Sequence, residues 1–146
     1  MELDKDYKQA CADYVNAQKA MGKALKQSSN PHFKSKYVDL QGVFDACGDA
    51  FNDNNFSIQQ PHGRDVYGDF VKTLLIHITG QRFESKLYLV LERQTMQGLG
   101  SAITYARRYA LMGMAGLAPE DDDGNDASAK QVNTKPPTKT KQGENF

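Results

Sequence analysis

Cysteine is scarce in this chain. Cys11 and Cys47 are its only two, they are far apart, and no Cys-x-x-Cys pair occurs. Each lies within an apolar helical pattern, so both read as core thiols in a reducing compartment rather than as halves of a disulfide framework. No apolar run approaches the length that a membrane helix needs, and no signal peptide stands out at the start, so the protein is expected to be soluble and cytoplasmic. No Gly-x-x-x-x-Gly-Lys-Ser/Thr stretch occurs, which removes the phosphate loop and with it any reason to expect ATP hydrolysis. Gly98-Leu99-Gly100 is not a dinucleotide fingerprint, because position 103 is isoleucine. His32 and His62 sit in loops near prolines, and the histidines form no nucleophile, base and orienter set. No catalytic residue and no cofactor is expected.

Net charge is absent as well: eighteen basic residues balance eighteen acidic ones. Bulk charge therefore says nothing about a nucleic-acid partner, but its distribution does. No acid occurs between Asp13 and Asp39, while Lys19, Lys23, Lys26, Lys34 and Lys36 fall in that gap. Acids gather instead at the other end, in Glu120 to Asp123. That run could hold Mg²⁺ as a nuclease would, but its spacing does not fit a calcium loop and it opens a polar tail. A solvated acidic run is the plainer reading, and no metal site is expected.

What is present fits one domain with one core. Residues 3–27 have an amphipathic helical pattern, with Leu3, Tyr7, Cys11, Tyr14, Gln18, Met21 and Leu25 on one stripe and Lys5, Lys8, Lys19, Lys23 and Lys26 away from it. Asn30-Pro31 breaks it, and a second helix over 39–53 buries Leu40, Val43, Phe44, Cys47 and Phe51. The period then changes from 3.6 to 2. "NFSIQQ" reads as a short strand, "PHGRDVYG" as a loop, and "DFVKTLLIHITG" and "RFESKLYLVLE" as two longer strands. A two-residue Gly80-Gln81 turn would set Thr79 opposite Arg82, His77 opposite Glu84, Leu75 opposite Lys86 and Thr73 opposite Tyr88. In that register Leu74, Ile76, Ile78, Phe83, Leu87 and Leu89 share an apolar face, and Arg82 and Lys86 lie on the polar one.

A third helix spans 97–117. Leu99, Ala102, Ile103, Ala106, Ala110, Gly113, Met114 and Leu117 mark a packing face with small residues at its centre. Ser101, Thr104, Tyr105, Arg108 and Met112 face the other way, with Arg107 at the flank. Hydroxyls and a guanidinium within two turns suit phosphate, and Gly98 and Gly100 leave the helix start approachable by an anion. Pairing of both arginines with surface acids explains the same residues equally well. After Pro119 almost nothing is apolar, so residues 119–146 are expected to form a disordered tail beyond a core of 1–118. The expected fold is α+β: a three-stranded antiparallel sheet with helices on one face, in the order α-α-β-β-β-α.

"NPHFKSKYVDLQGV" at 30–43, followed by "GSAITYARRYAL" and "EDDDG", resembles the essential-recombination-function (Erf) family of phage single-strand annealing proteins. The resemblance covers residues 3–124. It implies ATP-independent annealing of complementary single-stranded DNA in recombination, by an oligomeric ring or filament inside a bacterial host cell. A phage exonuclease or a host single-strand-binding protein is the partner such a protein would meet. It also implies a core like that of the strand-annealing recombinases, in which a basic helix follows a hairpin-bearing sheet. Lys34, Lys36 and Tyr37 of the first motif, and Ser101, Thr104, Tyr105, Arg107 and Arg108 of the second, are the DNA-facing positions carried over. Arg82 and Lys86 are added from the polar face of the hairpin. The rival classes are a Mg²⁺-dependent nuclease and a coating protein that binds single strands without annealing them.

Overall fold

The structure, a computed structural model, describes residues 4–27 and 38–118. Its elements run α1 (Lys5–Gln27), α2 (Leu40–Asp53), β1 (Phe56–Gln59), β2 (His62–Asp65), β3 (Gly68–His77), β4 (Arg82–Tyr88) and α3 (Met96–Ala115). The α+β class and the helix positions agree with the sequence reading. The sheet has one strand more than expected.

In α1 the buried line is Ala10, Asp13, Ala17 and Met21. The alanines let the helix backbone lie close to its neighbours, and Tyr14 packs beside that seam. Its ring meets Phe51, Phe56 and Phe83 edge-on at 5.1–5.6 Å between centroids. Lys5, Lys8 and Lys19 are exposed, as expected. Asp39 caps α2 by accepting the Gly42 amide at 2.7 Å, and the helix buries Val43, Ala46, Cys47 and Phe51. Burial pushes the Cys47 thiol up to about 12, so it stays an inert core group; Cys11 is half-buried.

β1 and β2 pair with the same edge of β3 in one register. Phe56 lies opposite His77 and Gln59 opposite Leu74, then His62 opposite Val71 and Asp65 opposite Gly68. They are one long strand interrupted at Gln60-Pro61. Pro61 has no amide to give, but its carbonyl still accepts from Lys72 at 3.0 Å. The expected loop "PHGRDVYG" is thus corrected: its first half is strand, and Val66-Tyr67 turns directly into β3. Proline and glycine hid it, and both are tolerated because this is an edge strand. Gly63 leaves room for the Phe70 ring, which a Cβ would meet at 2.6 Å and displace.

The β3–β4 register also differs from the expected one. Arg82 pairs with Ile76, Phe83 with Leu75, Ser85 with Thr73, Lys86 with Lys72 and Tyr88 with Phe70. The connection spans residues 78–81 rather than two residues, closed by the His77 amide donating to the Gln81 carbonyl at 2.8 Å. Arg82 therefore moves from Thr79 to Ile76, an odd shift that exchanges the faces of β3. The core face carries Val71, Thr73, Leu75 and His77 with Phe83 and Leu87, and Ile78 is 79% exposed. Two polar residues can face inwards because each is satisfied. Gln60 donates to the Thr73 hydroxyl at 2.8 Å, and His77 Nε2 lies 2.7 Å from Asp13. The expected His77–Glu84 pair does not form.

All three helices lie on this face. The core joins Ala17 and Met21 of α1, Val43, Cys47 and Phe51 of α2, Phe56 and Leu75 of the sheet, and Leu111 and Ala115 of α3. Thr95 caps α3 by accepting the Gly98 amide at 3.0 Å, and Gly116, left-handed at φ 70°, ends it. The Tyr14 hydroxyl donates to the Met114 carbonyl, which fixes α3 against α1.

Candidate nucleic-acid interface

α3 contacts α2 on one side and β3 and β4 on another, so only part of its surface stays open. Leu111 and Ala115 enter the core, while Ala110, Gly113 and Met114 border a shallow hollow with Ser85 and Leu87 of β4. Exposed along α3 are Met96, Gln97 and Gly100 at its start, then Ser101, Thr104, Tyr105, Tyr109 and Gly113. The two tyrosines lie one helical turn apart with ring centroids 4.3 Å apart, and Tyr105 is 57% exposed. The Tyr105 hydroxyl is held above its usual pKa, first by its hydrogen bond with Tyr109. The Thr104 hydroxyl donates to the Gly100 carbonyl at 3.1 Å and keeps its lone pairs towards solvent.

Arg108 is placed differently from the sequence reading. Arg108 was expected on the open face; it is 7% exposed, and its Nη1 donates to the Val38 carbonyl at 3.4 Å. Its guanidinium lies 4.9 Å from the Tyr109 ring centroid and 5.5 Å from that of Tyr105. The reason is geometric: a helix packed on two sides has no whole polar face, so Arg108 falls in the seam towards the start of α2. Arg107 is half-buried. Its Nε donates to Gln60 Oε1 at 3.2 Å, and Gln60 Nε2 donates back to the Arg107 carbonyl at 2.9 Å. Gln60 thus ties the strand break to α3 and to Thr73 together.

The first half of α3 and the segment after β4 enclose a groove of about 860 Å³. Leu87, Tyr88, Val90 and Arg93 line one wall, and Ser101 and Tyr105 the other. Gly98 lets the walls meet at the base: a Cβ there would stand 2.3 Å from the Arg93 carbonyl oxygen. The groove is open along its length, largely apolar in its lining and fringed by hydroxyls, the Arg93 guanidinium and the Glu92 carboxylate. That combination suits a chain that offers both flat rings and anions.

Lys86 and Arg82 lie on the outer face of the sheet, away from the helices. Lys86 Nζ is 2.7 Å from Asp65 Oδ2 and 4.1 Å from the Phe70 ring centroid. The same carboxylate oxygen accepts the Tyr88 hydroxyl at 2.7 Å, and Oδ1 accepts the Tyr67 amide at 2.8 Å. These bonds, Lys86 first and Tyr88 second, lower the Asp65 carboxyl to about 2, while the bond to Asp65 raises the Lys86 ammonium. Both groups are charged at any physiological pH.

Of the sequence-predicted positions, Ser101 and Tyr105 come together in the groove, and Thr104 is exposed on the same helix half. Lys86 joins them through Tyr88, whose ring lies 5.3 Å from its Nζ. Arg82 stands at the far end of β4. Lys34, Lys36 and Tyr37 lie outside the described residues, as does the acidic run Glu120 to Asp123. The sequence reading missed Tyr88, Phe70, Tyr67 and Asp65. The signal for Asp65 and Tyr67 was the aromatic and acidic density of "RDVYGDF", which the loop assignment hid, while Phe70 and Tyr88 fell in the expected strands and the expected register set them apart. Among the described residues, no group of three or more His, Cys, Asp or Glu side chains is placed to hold a metal ion, and no helix is long and apolar enough to cross a membrane.

A family model described as the ERF superfamily matches residues 11–146. No curated protein matches the chain. No solved structure matches it.

Proposed function

The chain belongs to the ERF superfamily, the single-strand annealing family of phage recombination, and on that premise we propose that the groove between β4 and α3 holds one DNA strand while a second pairs with it. The observation that carries this reading is the convergence of Ser101 and Tyr105, both from the second family-like motif, on an open groove beside Tyr88 and Arg93. Tyr105 and Tyr88 supply surfaces for bases, and Arg93 and the hydroxyls meet the sugar-phosphate backbone. Annealing requires two polyanions to approach. Cations along the path lower that repulsion, and base pairing supplies the driving force, so no bond is broken and no ATP is needed.

Thr104, Lys86 and Arg82 extend the path on the described surface. Lys34, Lys36 and Tyr37 are assigned to it from their motif alone. Arg107 and Arg108 act as positioning residues: the first holds Gln60, and the second sets the Tyr105–Tyr109 pair. We assign annealing to residues 1–118, with 119–146 as a tail outside it. The working form is a homo-oligomeric ring or filament in the bacterial cytoplasm, meeting a phage exonuclease or a host single-strand-binding protein.

The test is to mix two complementary labelled oligonucleotides with the full chain, without ATP, and follow duplex formation by energy transfer. Acceleration over the protein-free rate supports annealing. Binding without acceleration reassigns the protein as a coating protein, and shortening of the strands in Mg²⁺ reassigns it as a nuclease. Binding should also weaken with salt, with a slope of about −0.7 per phosphate neutralised.

A further inference from the structure

The outer face of the sheet and the tip of the β2–β3 hairpin carry chemistry that the groove does not use. Tyr67 and Phe70 each meet the Tyr88 ring nearly at right angles, at 6.3 and 6.1 Å between centroids. Lys86 stands over Phe70, and the register sets Lys72 directly across from Lys86. Two like charges side by side on a sheet cost stability unless an anion accompanies them. Asp65 is such an anion. It takes an ammonium, a phenol O–H and a backbone amide, which is the set of donors a phosphate would take. The charged groups of the face are Lys72, Arg82 and Lys86 against Asp65 and Glu84, so three cations oppose two acids. Tyr88 belongs both to this cluster and to the groove wall, which makes the two surfaces continuous.

We infer that this cluster is a second contact for the same single strand, where bases stack on Tyr67 and Phe70 and a backbone phosphate displaces Asp65 from Lys86 and Tyr88. The inference rests on the proposed single-strand binding and adds a site to it. An internal carboxylate that competes with phosphate keeps this contact weak and quickly exchanged. A strand held at the groove then keeps its outer portion free to meet a complement. While it is bonded to Lys86 and Tyr88 the Asp65 carboxyl is held well below the ordinary carboxylate range, so a phosphate meets it as an anion at any physiological pH.

The test measures anisotropy of a labelled oligothymidylate with the full chain over a range of salt. Asp65→Asn should bind several-fold more tightly, with a salt slope steeper by about 0.7, one added phosphate. Adding Lys86→Gln to that variant should cancel both gains. Tyr67→Ala, removing a ring that is 82% exposed, should weaken binding about fivefold or more with an unchanged urea midpoint. Unchanged or weaker binding by Asp65→Asn at an unchanged midpoint overturns the inference, and so does unchanged binding by Tyr67→Ala. If Asp65→Asn lowers the midpoint, the Tyr67→Ala result decides alone. Failure of the unaltered chain to bind any single strand sinks the proposed function. Loss of binding in Tyr105→Ala, with indifference to both hairpin variants, sinks only the second contact.

Discussion

Asp13 and His77 stand 64 positions apart in the chain, yet Asp13 Oδ2 and His77 Nε2 meet at 2.7 Å in the core. The other ring nitrogen, Nδ1, accepts the Thr79 amide at 3.2 Å and lies 2.8 Å from its hydroxyl, which leaves Nε2 to donate to the carboxylate. Asn55 donates to the same carboxylate oxygen at 3.1 Å. One acid on α1 therefore orders the end of β3, the turn after it and the turn after α2.

The Asp13 carboxyl is held below its ordinary value, first by His77 and then by Asn55. Its folded pKa is depressed, so its stabilisation is complete above the ordinary carboxylate value of about 3.9 and is lost as pH falls through the lowered folded value. Asp13→Ala should lower stability by about 2 kcal/mol at neutral pH, because it leaves His77 and Asn55 short of an acceptor. Urea unfolding between pH 7 and 3 checks this. The difference between the two proteins should shrink at the acid end.

Arg108→Ala should destabilise the fold by about 1–3 kcal/mol, because a half-turn of α3 loses its packing and the Val38 carbonyl loses a donor. Exposed arginines cost far less, within about 0.5 kcal/mol. Lysine should rescue little, having no planar group to lie beside two tyrosine rings. Urea midpoints of the three proteins decide this, and an unaltered midpoint for Arg108→Ala would contradict its burial.

Tyr105→Ala reads the groove directly. The ring is mostly exposed, so the urea midpoint should move little while single-strand affinity falls about fivefold or more. Ser101→Ala, removing a single hydroxyl, should cost less. Equal affinity for all three proteins in a titration at physiological salt would place the strand elsewhere.

Gly98→Ala tests the groove from its base. The added methyl meets a backbone carbonyl rather than a movable side chain, so the segment after β4 must shift away from α3. Both stability and strand affinity should fall, the first by about 1–3 kcal/mol. Gly100→Ala, where a Cβ has open space, is the matched control: it should leave strand affinity unchanged and raise stability by about 0.5–1 kcal/mol, as alanine does for glycine inside a helix.

The helices were legible in the sequence because their signals are local. A repeat of apolar residues, with Asn30-Pro31 as a break, bounds them to within two residues of the observed ends. The pairing of β3 with β4 was not, because the turn was inferred from one glycine. The register was then fixed by sorting polar from apolar side chains, which assumes that Thr73 and His77 face water. They do not, since Gln60 and Asp13 arrive from elsewhere in the chain to satisfy them. Arg108 was misplaced for the same kind of reason. A helix wheel gives one inside and one outside, whereas α3 is enclosed on two sides. Ser101 and Tyr105 kept their expected exposure because they line the open groove beside the segment after β4.

The interruption at Gln60-Pro61 also bears on how chains can meet. An unbroken outer edge of ten residues would offer its free amides and carbonyls to any extended segment of a neighbour. Instead that edge is two runs of four, Phe56–Gln59 and His62–Asp65, separated by a residue with no amide and by a side chain turned inwards to α3. A second sheet cannot be continued from it in register. The opposite edge, β4 at Arg82–Tyr88, is an unbroken run of seven residues that pairs only with β3 among the described residues, so a neighbour's extended segment has one edge to join rather than two.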